Sequence, residues 1–331
     1  MVKDKIKIVV ALPESRYSCG QFAQPILSSP SLSKKVEFLY SEHKEQLEKL
    51  IGEAEILVTL SVKRETFLQA KKLKWIHLAV AGVDKTLFLE VLKSKVVITS
   101  SKGIHQVTVS EHVMGLVLAF AKGIAASIKA QPKKVWLQRE LIDKRFNLEG
   151  KVLGIVGLGN IGLELARKAK AFDMKVIALK NSVKKVEKYK NVDLLLGKEK
   201  LKELLSQSDF VVILLPLTEE TYHLISQKEL GWMKKEAYLI NVARGPIINE
   251  VDLISALKNK TIKGAGLDVV EREPLNSNSP LYDFENVIIT PHIAGSMPDY
   301  YKRVGEIFKK NLIRYLERKP LLNSVDKKKG Y

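Results

Sequence analysis

Residues 151–172 read KVLGIVGLGNIGLELARKAKAF and contain the most informative pattern for the fold of this chain. The apolar run 152–156 predicts a buried strand, and it leads directly into Gly157-Leu158-Gly159-Asn160-Ile161-Gly162. Apolar residues then recur at helical spacing, at Ile161, Leu165, Ala169 and Phe172. A glycine-rich turn alone is weak support for a function, but a strand, this turn and a helix in succession predict a dinucleotide-binding unit.

Each glycine of the motif has a physical role. Gly157 permits the tight turn, Gly159 lets the backbone approach a pyrophosphate, and Gly162 lets the helix pack closely on the strand. The free N–H groups at the start of the helix then offer partial positive charge to the phosphates, with Asn160 and Ile161 as the first helical residues. We therefore expect the glycine loop to bind the phosphates of a dinucleotide.

The residues after the next predicted strand bear on which dinucleotide is used. In NAD-binding units an acidic residue about 20 positions after the glycine loop holds the ribose 2′-hydroxyl. This sequence instead has Lys180, Asn181 and Ser182 there, followed by Lys184 and Lys185. A lysine can pair with a 2′-phosphate, so NADP(H) is favoured and NAD(H) is the alternative. The competing interpretation is that Lys180 is one more surface lysine.

The whole chain alternates apolar runs with amphipathic stretches. Strands are predicted at 6–12, 36–40, 56–60, 75–80 and 96–99, and in a second series at 152–156, 175–179, 210–215, 238–242, 262–268 and 287–290. Helices are predicted at 42–53, 63–70 and 109–121, and after Gly295, where Val304, Ile307, Phe308, Leu312 and Leu316 share one face. Strands that alternate with helices predict an α/β fold with two doubly wound, parallel-sheet domains.

Three polar residues follow three predicted strands of the second series: Arg244, Glu273 and His292. Ligands of open parallel sheets bind beyond the carboxyl ends of the strands, so these residues are predicted to share one crevice with the glycine loop. A histidine can protonate a carbonyl oxygen, and a neighbouring carboxylate orients the ring and favours its charged form. An arginine can bind a substrate carboxylate with two hydrogen bonds. The set predicts hydride transfer at C2 of a small, anionic 2-oxo or 2-hydroxy acid.

Each of these residues also has an ordinary interpretation. An arginine after a strand often makes surface contacts, and a glutamate before Pro274 can simply shape a turn. The other histidines are interpreted as surface or core residues: His43, His77, His105, His112 and His223. Among them His112 is the main rival of His292, but it falls inside the apolar helix predicted at 109–121.

Composition sets further limits. The 331 residues suffice for about two domains, and the single cysteine, Cys19, cannot form an intramolecular disulfide. No apolar run is long enough for a membrane span, so a cytoplasmic location is expected. The formal charge is +18, yet the lysines are spread along the chain without a nucleic-acid-binding motif. We expect no specific nucleic-acid partner and no metal site; the positive field would attract anionic ligands.

The sequence resembles the D-2-hydroxyacid dehydrogenase family, the group that includes phosphoglycerate dehydrogenase and glyoxylate/hydroxypyruvate reductase. The resemblance rests on motifs along nearly the whole chain: Ala81-Gly82-Val83-Asp84, Ser110-Glu111-His112, the glycine loop, Leu215-Pro216-Leu217-Thr218, Asn241-Val242-Ala243-Arg244-Gly245, Leu267-Asp268-Val269, Glu273-Pro274, Thr290-Pro291-His292, Asn323-Ser324-Val325-Asp326 and Gly330-Tyr331.

The resemblance implies roles for individual residues. His292 would be the acid/base, Glu273 its partner, and Arg244 a substrate-binding residue. The backbone of Ala81, Gly82 and Val83 would hold the substrate carboxylate. The nicotinamide pocket would be lined by Pro216, Val242, Ala243 and Asp268, with Thr108 near the cofactor.

The resemblance also implies an architecture. A Rossmann domain for NAD(P), residues 101–295, would be inserted into a flavodoxin-like substrate-binding domain made of residues 1–100 and 296–331. Family members are usually homodimers joined through the cofactor domains, with the region 105–148 reaching across.

Departures from the family pattern narrow the choice of activity. Glu273 stands where formate dehydrogenases carry glutamine, and the chain leaves no room for the regulatory domain of many phosphoglycerate dehydrogenases. Lys180 replaces the acidic residue of NAD-using members. The favoured hypothesis is a glyoxylate/hydroxypyruvate-type reductase. An NAD-dependent D-3-phosphoglycerate dehydrogenase and a dehydrogenase-like regulatory protein are the alternatives.

Overall fold

A computed structural model describes residues 5–13, 15–181 and 189–330. The strands are β1 (Ile6–Ala11), β2 (Val36–Tyr40), β3 (Ile56–Thr59), β4 (Trp75–Leu78), β5 (Val97–Ser100), β6 (Val152–Val156), β7 (Lys175–Lys180), β8 (Leu194–Gly197), β9 (Phe210–Ile213), β10 (Tyr238–Asn241), β11 (Gly264–Leu267) and β12 (Val287–Ile289). The α-helices are α1 (Ser15–Leu27), α2 (Pro30–Ser33), α3 (Lys44–Leu50), α4 (Arg64–Gln69), α5 (Leu89–Lys93), α6 (Gln106–Ala121), α7 (Ile124–Ala130), α8 (Gln138–Ile142), α9 (Asn160–Lys170), α10 (Leu201–Gln207), α11 (Gln227–Leu230), α12 (Glu250–Lys258) and α13 (Tyr300–Leu316). Short 3-10 segments lie at Ile51–Glu53, Asp84–Thr86, Gln131–Lys133, Lys198–Lys200, Gly245–Ile247 and Pro280–Tyr282.

The first of two compact units combines Met1–Ile104 with Met297–Tyr331. In its described part the strands form a parallel sheet in the order β2-β1-β3-β4-β5, the flavodoxin-like arrangement. The register pairs Ile8 with Phe38 on one side and with Ile56 on the other. Both faces of the sheet are buried, which explains why these strands are nearly continuous apolar runs.

The helix α13 returns to this first sheet from the far end of the chain. Val304, Phe308 and Leu312 are fully buried, and the ring of Phe308 stacks on that of Trp75 at 4.8 Å between centroids. Stacked aromatic rings at this distance add to the stabilisation that burial provides. The helical face predicted from the spacing of these residues is thus confirmed, and it completes the core of the first unit.

The second unit, His105–Ser296, carries a parallel sheet in the order β12-β11-β10-β9-β6-β7-β8 within the described residues. Counted from β6, this is the Rossmann order with one strand added at the β12 edge. The order reverses between β6 and β9, where Leu153 pairs with Phe210. The carboxyl ends of the strands beside this switch point are the expected location of a ligand. The predicted fold class, two doubly wound parallel-sheet domains, is confirmed.

Most predicted elements are present, with differences at their ends. The strand predicted at 210–215 ends at Ile213, because the chain turns towards Pro216, which has no N–H for a sheet hydrogen bond. The helix predicted at 42–53 begins at Lys44 and changes to a 3-10 turn at Ile51. The edge strand β8 was not predicted. Its four residues follow the chain segment 182–188, which lies outside the described residues.

The apolar helix predicted at 109–121 is α6, which starts three residues earlier and buries Val113 and Val117 completely. Within the described ranges, no single helix has the length and hydropathy to cross a membrane. One bent pair, Gln106–Ala121 with Ile124–Lys133 at 71°, meets that test only when the two are taken together.

Candidate active site

The glycine loop lies between β6 and α9. Gly157 has a φ of 112°, and a Cβ there would lie 2.8 Å from the carbonyl oxygen of Leu214, so a side chain is excluded both by conformation and by space. A Cβ on Gly162 would lie 2.9 Å from the Gly157 carbonyl oxygen, whereas Gly159 has no atom within 4 Å of its Cβ position. The protein itself therefore requires the first and third glycines, and the second borders open space.

The start of α9 offers hydrogen-bond donors. The N–H of Leu163 donates to Gly159, but the N–H groups of Asn160, Ile161 and Gly162 have no acceptor among the described residues. The residue before the helix, Gly159, supplies no side chain to cap them. Unpaired donors at the N-terminus of an 11-residue helix are suited to an anionic ligand such as a diphosphate.

Lys180 ends β7, the strand that follows α9. Its ammonium donates a hydrogen bond to the Tyr189 hydroxyl and lies 4.8 Å from the centre of that ring. Asn181 is exposed. The predicted cofactor-binding residue Ser182 lies outside the described residues, as do Lys184 and Lys185. The lysine therefore stands at the strand end where the choice between NAD and NADP is made in Rossmann units.

Arg244 lies in a tight loop after β10. The Asn241 side chain folds this loop, because its amide donates to the Arg244 carbonyl (2.9 Å) and its oxygen accepts from the Ala243 N–H (3.1 Å). Next to it, a Cβ on Gly245 would lie only 1.8 Å from the Val270 carbonyl oxygen. The Arg244 loop and the loop after β11 therefore pack backbone against backbone, and only glycine fits between them.

Two of the predicted catalytic residues, His292 and Glu273, are in contact. The Nδ1 atom of His292 lies 2.7 Å from Oε2 of Glu273, and the second carboxylate oxygen accepts from the Val270 N–H at 3.4 Å. The side chains are 51% and 36% exposed, so a substrate can reach the ring. With Nδ1 on the carboxylate, Nε2 is the nitrogen left for proton exchange with a ligand.

Asp268 holds the turn that carries His292. Its carboxylate accepts hydrogen bonds from the Thr290 hydroxyl (2.6 Å) and from the N–H groups of Ile293 (2.9 Å) and Ala294 (3.0 Å). The residue is only 3% exposed. The ring of His112 joins this cluster through Thr290, at 3.0 Å between Nε2 and Oγ1. This hydrogen bond places His112 beneath the turn, as a support for the Thr290–Asp268 pair.

The positive charge of Arg244 acts on His105, a half-buried histidine just before α6. Burial lowers the pKa of His105, the hydrogen bond to the Gly295 carbonyl (3.3 Å) opposes this, and the positive charge of Arg244 lowers the pKa further. Burial and the neighbouring guanidinium therefore both disfavour the charged form of His105. The spacing of His105 gave no signal for this, since its partners lie about half the chain away.

The loop 81–83 belongs to the first unit and follows β4. Ala81 is exposed, Gly82 is half-buried and Val83 is buried. Their three consecutive N–H groups have no hydrogen-bond acceptor among the described residues, whereas the Val83 carbonyl accepts from Thr86. Consecutive unpaired N–H groups form an anion-binding concavity, which fits the predicted contact with a carboxylate.

The other predicted cofactor residues lie at strand ends or on α6. Val242 and Ala243 follow β10 and are half-buried, Pro216 follows β9 and is exposed, and Thr108 lies in the first turn of α6. In the part of the chain that the structure describes, no group of three or more histidine, cysteine or acidic residues is arranged to hold a metal ion.

Comparison with known proteins gives a family match. Residues 114–294 match the family described as D-isomer specific 2-hydroxyacid dehydrogenase, NAD binding domain. Glyoxylate reductase from Thermofilum pendens is 37% identical over 79% of this chain and 77% of its own. D-3-phosphoglycerate dehydrogenase from Methanocaldococcus jannaschii is 34% identical over 88% of this chain and 55% of its own.

A solved structure with the same fold is the NADPH-dependent glyoxylate/hydroxypyruvate reductase from Sinorhizobium meliloti, in complex with NADP and sulfate. The two chains superpose with a TM-score of 0.81 at 26% identity, covering 99% of this chain and 100% of the other.

Proposed function

Because the chain belongs to the D-isomer specific 2-hydroxyacid dehydrogenase family, we propose that it is an NADPH-dependent reductase of short 2-oxo acids of the glyoxylate and hydroxypyruvate type. As a member of that family it is an NAD(P)-dependent oxidoreductase that interconverts 2-oxo and D-2-hydroxy acids at C2. The choice of substrate is supported by the glyoxylate reductases among its relatives, from Thermofilum pendens and Pyrococcus horikoshii among others.

The observation that carries the mechanism is the 2.7 Å contact between His292 and Glu273. The carboxylate holds Nδ1 and orients the ring, which leaves Nε2 to exchange a proton with the substrate. During reduction this proton passes to the carbonyl oxygen of the 2-oxo acid, which becomes the hydroxyl group. In the reverse direction neutral His292 takes the proton from that hydroxyl.

We assign the binding of the substrate carboxylate to Arg244 and to the N–H groups of the 81–83 loop. The guanidinium can donate two parallel hydrogen bonds, and the loop supplies three unpaired backbone donors. Both contacts bind a small anion, and the formal charge of +18 raises its local concentration. On this assignment residues 1–100 and 296–331 form the substrate-binding domain, and residues 101–295 form the cofactor domain.

The glycine loop fits a nicotinamide dinucleotide, because its helix start holds three unpaired N–H groups beside the open space at Gly159. When bound, the nicotinamide donates or accepts the hydride that the reaction moves. Pro216, Val242, Ala243 and Thr108 would surround it, and the Thr290–Asp268 cluster would keep His292 at its edge. Lys180 at the end of β7 supports NADP(H) over NAD(H), because its charge complements a 2′-phosphate.

The second candidate is an NAD-dependent D-3-phosphoglycerate dehydrogenase. It is favoured by the similarity to the Methanocaldococcus jannaschii enzyme and by the positive charge, which suits a phosphorylated acid. A third candidate, a regulatory protein that binds the dinucleotide without turnover, is disfavoured by the exposed His292–Glu273 pair. A panel of about ten 2-oxo acids and 3-phosphoglycerate, each with both cofactors, separates the three, since the regulator would turn over none of them.

Replacing the proposed acid tests the mechanism. We expect His292→Asn to lower kcat for glyoxylate reduction by about 10²- to 10⁴-fold, because the general acid is lost while substrate and cofactor contacts stay. His43→Asn, at an exposed histidine of the first unit, is the matched control and should leave kcat unchanged. Near wild-type turnover by His292→Asn would overturn the assignment.

We also infer a homodimer and a cytoplasmic location. The dimer is supported by exposed apolar side chains in the region 105–148, at Ile124, Ile128, Val135, Trp136 and Ile142. The cytoplasmic location is supported by the free, buried thiol of Cys19.

A further inference from the structure

Four polar side chains of the first unit lie fully buried beneath the segment that leads to the 81–83 loop. The indole Nε1 of Trp75 lies 2.8 Å from the Thr99 hydroxyl, which lies 2.8 Å from Nδ1 of His77. On the other side of the imidazole, Nε2 of His77 lies 3.3 Å from the Ser101 hydroxyl. That hydroxyl lies 3.0 Å from the Leu78 carbonyl oxygen. The groups form one continuous hydrogen-bonded chain.

The direction of every bond in this chain follows from its two ends. The Leu78 carbonyl can only accept, so the Ser101 hydroxyl gives its one proton to it and must accept from Nε2 of His77. Neutral His77 is then the tautomer with hydrogen on Nε2, and its Nδ1 accepts from the Thr99 hydroxyl. The Thr99 oxygen accepts in turn from the indole N–H of Trp75, which can only donate. All donors and acceptors of the chain are satisfied when His77 is neutral, in agreement with burial, which lowers its pKa to about 3.

The chain ends on the backbone immediately before the 81–83 loop. The Ser101 N–H donates to the carbonyl oxygens of Leu78 and Val80, each at 3.0 Å. The carbonyl between them, that of Ala79, accepts from the Tyr300 hydroxyl at 2.5 Å. Three consecutive carbonyl groups are therefore held by Ser101 and by Tyr300 of α13. With its preceding backbone fixed in this way, the loop keeps its N–H groups in place before a ligand arrives.

We propose that His77, Ser101 and Tyr300 are positioning residues that hold the 81–83 loop in the form that binds the substrate carboxylate. This inference rests on the proposed function, and none of the three residues is assigned a contact with the substrate. The reacting groups, Arg244, Glu273 and His292, belong to the second unit, so the hydrogen-bonded chain acts on substrate binding and leaves the proton transfer itself unaltered. Removing the hydroxyl group of Ser101 or Tyr300 should therefore raise KM and leave kcat unchanged.

The test uses the full-length enzyme with glyoxylate and NADPH. We expect Ser101→Ala and Tyr300→Phe each to raise KM for glyoxylate by about three- to tenfold, the effect of one modest hydrogen bond on binding. The kcat at saturating glyoxylate and the Kd for NADPH, measured by quenching of protein fluorescence, should stay within about twofold of wild type.

Ser208→Ala is the matched control, because Ser208 is a buried serine of the second unit whose hydroxyl donates to the Leu204 carbonyl at 2.7 Å. It loses the same kind of bond and should leave KM unchanged. Tyr300→Phe keeps the ring and removes one oxygen, so it tests the inference even if Ser101→Ala fails to fold. Unchanged KM in a folded Ser101→Ala or Tyr300→Phe, or a loss confined to kcat, would overturn the proposal. A wild-type enzyme that turns over no 2-oxo acid would instead overturn the proposed function.

Discussion

The backbone of His292 lies in the left-handed region of φ and ψ, which is rare for residues other than glycine. Its φ is 55°, in the left-handed region, where a β-carbon costs roughly 1 kcal/mol. The His292 N–H donates to the carbonyls of Asp268 and Thr290, and the Asp268 carboxylate holds the next two N–H groups. These bonds maintain the unfavourable conformation, which turns the imidazole towards Glu273. The buried Asp268 therefore fixes the turn that carries His292.

Substitution of Lys180 tests whether the enzyme prefers NADPH or NADH. Replacing it in Lys180→Asp removes a positive charge and sets a carboxylate where a 2′-phosphate would lie, whereas the ribose 2′-hydroxyl of NADH can donate to that carboxylate. We expect the ratio of kcat/KM for NADPH over NADH to fall by about tenfold or more. Lys175→Asp, at the exposed start of the same strand, is the control. An unchanged ratio in Lys180→Asp would remove the support for NADPH.

Contacts in the candidate active site could be predicted from the sequence where the order of the strands alone brings residues together. Glu273 and His292 follow the neighbouring parallel strands β11 and β12, so their contact at one sheet edge could be predicted without side-chain detail. The place of Arg244 in the same crevice stays a prediction. The Asp268–Thr290–His112 cluster was not predicted, because His112 and Thr290 are 178 positions apart and meet only through the packing of α6. Asp268 was assigned from the family resemblance to the nicotinamide pocket, a role that stays a prediction beside its observed hydrogen bonds.

At the scale of a single element, β4 carries a fully buried histidine, and this makes stability depend on pH. The pKa of His77 is lowered from 6.5 to about 3 by burial, so the unfolded chain binds a proton that the folded protein excludes. This contribution is complete above pH 6.5 and is lost as the pH falls towards 3. The free energy of unfolding should fall by about 2 kcal/mol between about pH 6.5 and about pH 5 from this group alone.

The measurement is urea unfolding of wild type and His77→Gln across that pH interval. Glutamine can still donate and accept hydrogen bonds but does not titrate there, so the variant should show the smaller loss of stability on acidification. His43→Gln, at an exposed histidine, should behave as wild type. Equal pH dependence in wild type and His77→Gln would show that His77 is not the source.

Strands and helices were easier to predict from the sequence when more of their residues are buried. The central strands β1, β3, β6 and β9 are mostly apolar, and the sequence shows them directly. The edge strand β8 has an exposed first residue, and only Leu196 of its four residues is buried. The helix α1 was also missed, because Gly20 and Pro25 interrupt its pattern, although it buries Phe22, Ala23 and Ile26.

At the scale of the whole molecule, the chain leaves the first unit at Ile104 and returns to it at Met297, so one unit is inserted into the other. The inserted unit starts with α6, α7 and α8, and these helices and their connections expose several apolar side chains. Within this region Trp136 is the most exposed of the large apolar residues, at 85%. A tryptophan is also the residue type that most often dominates a protein interface.

We therefore expect the protein to sediment at twice its chain mass of 37.2 kDa at micromolar concentration. Trp136→Lys should weaken this dimer by at least about 2 kcal/mol, since it removes a central aromatic contact and places a charge in the interface. Val251→Lys is the matched control, because Val251 lies on α12 and is also strongly exposed, at 75%. Sedimentation velocity over a concentration series measures both. A monomeric wild type, or an equal effect of the two substitutions, would contradict an interface built on the region 105–148.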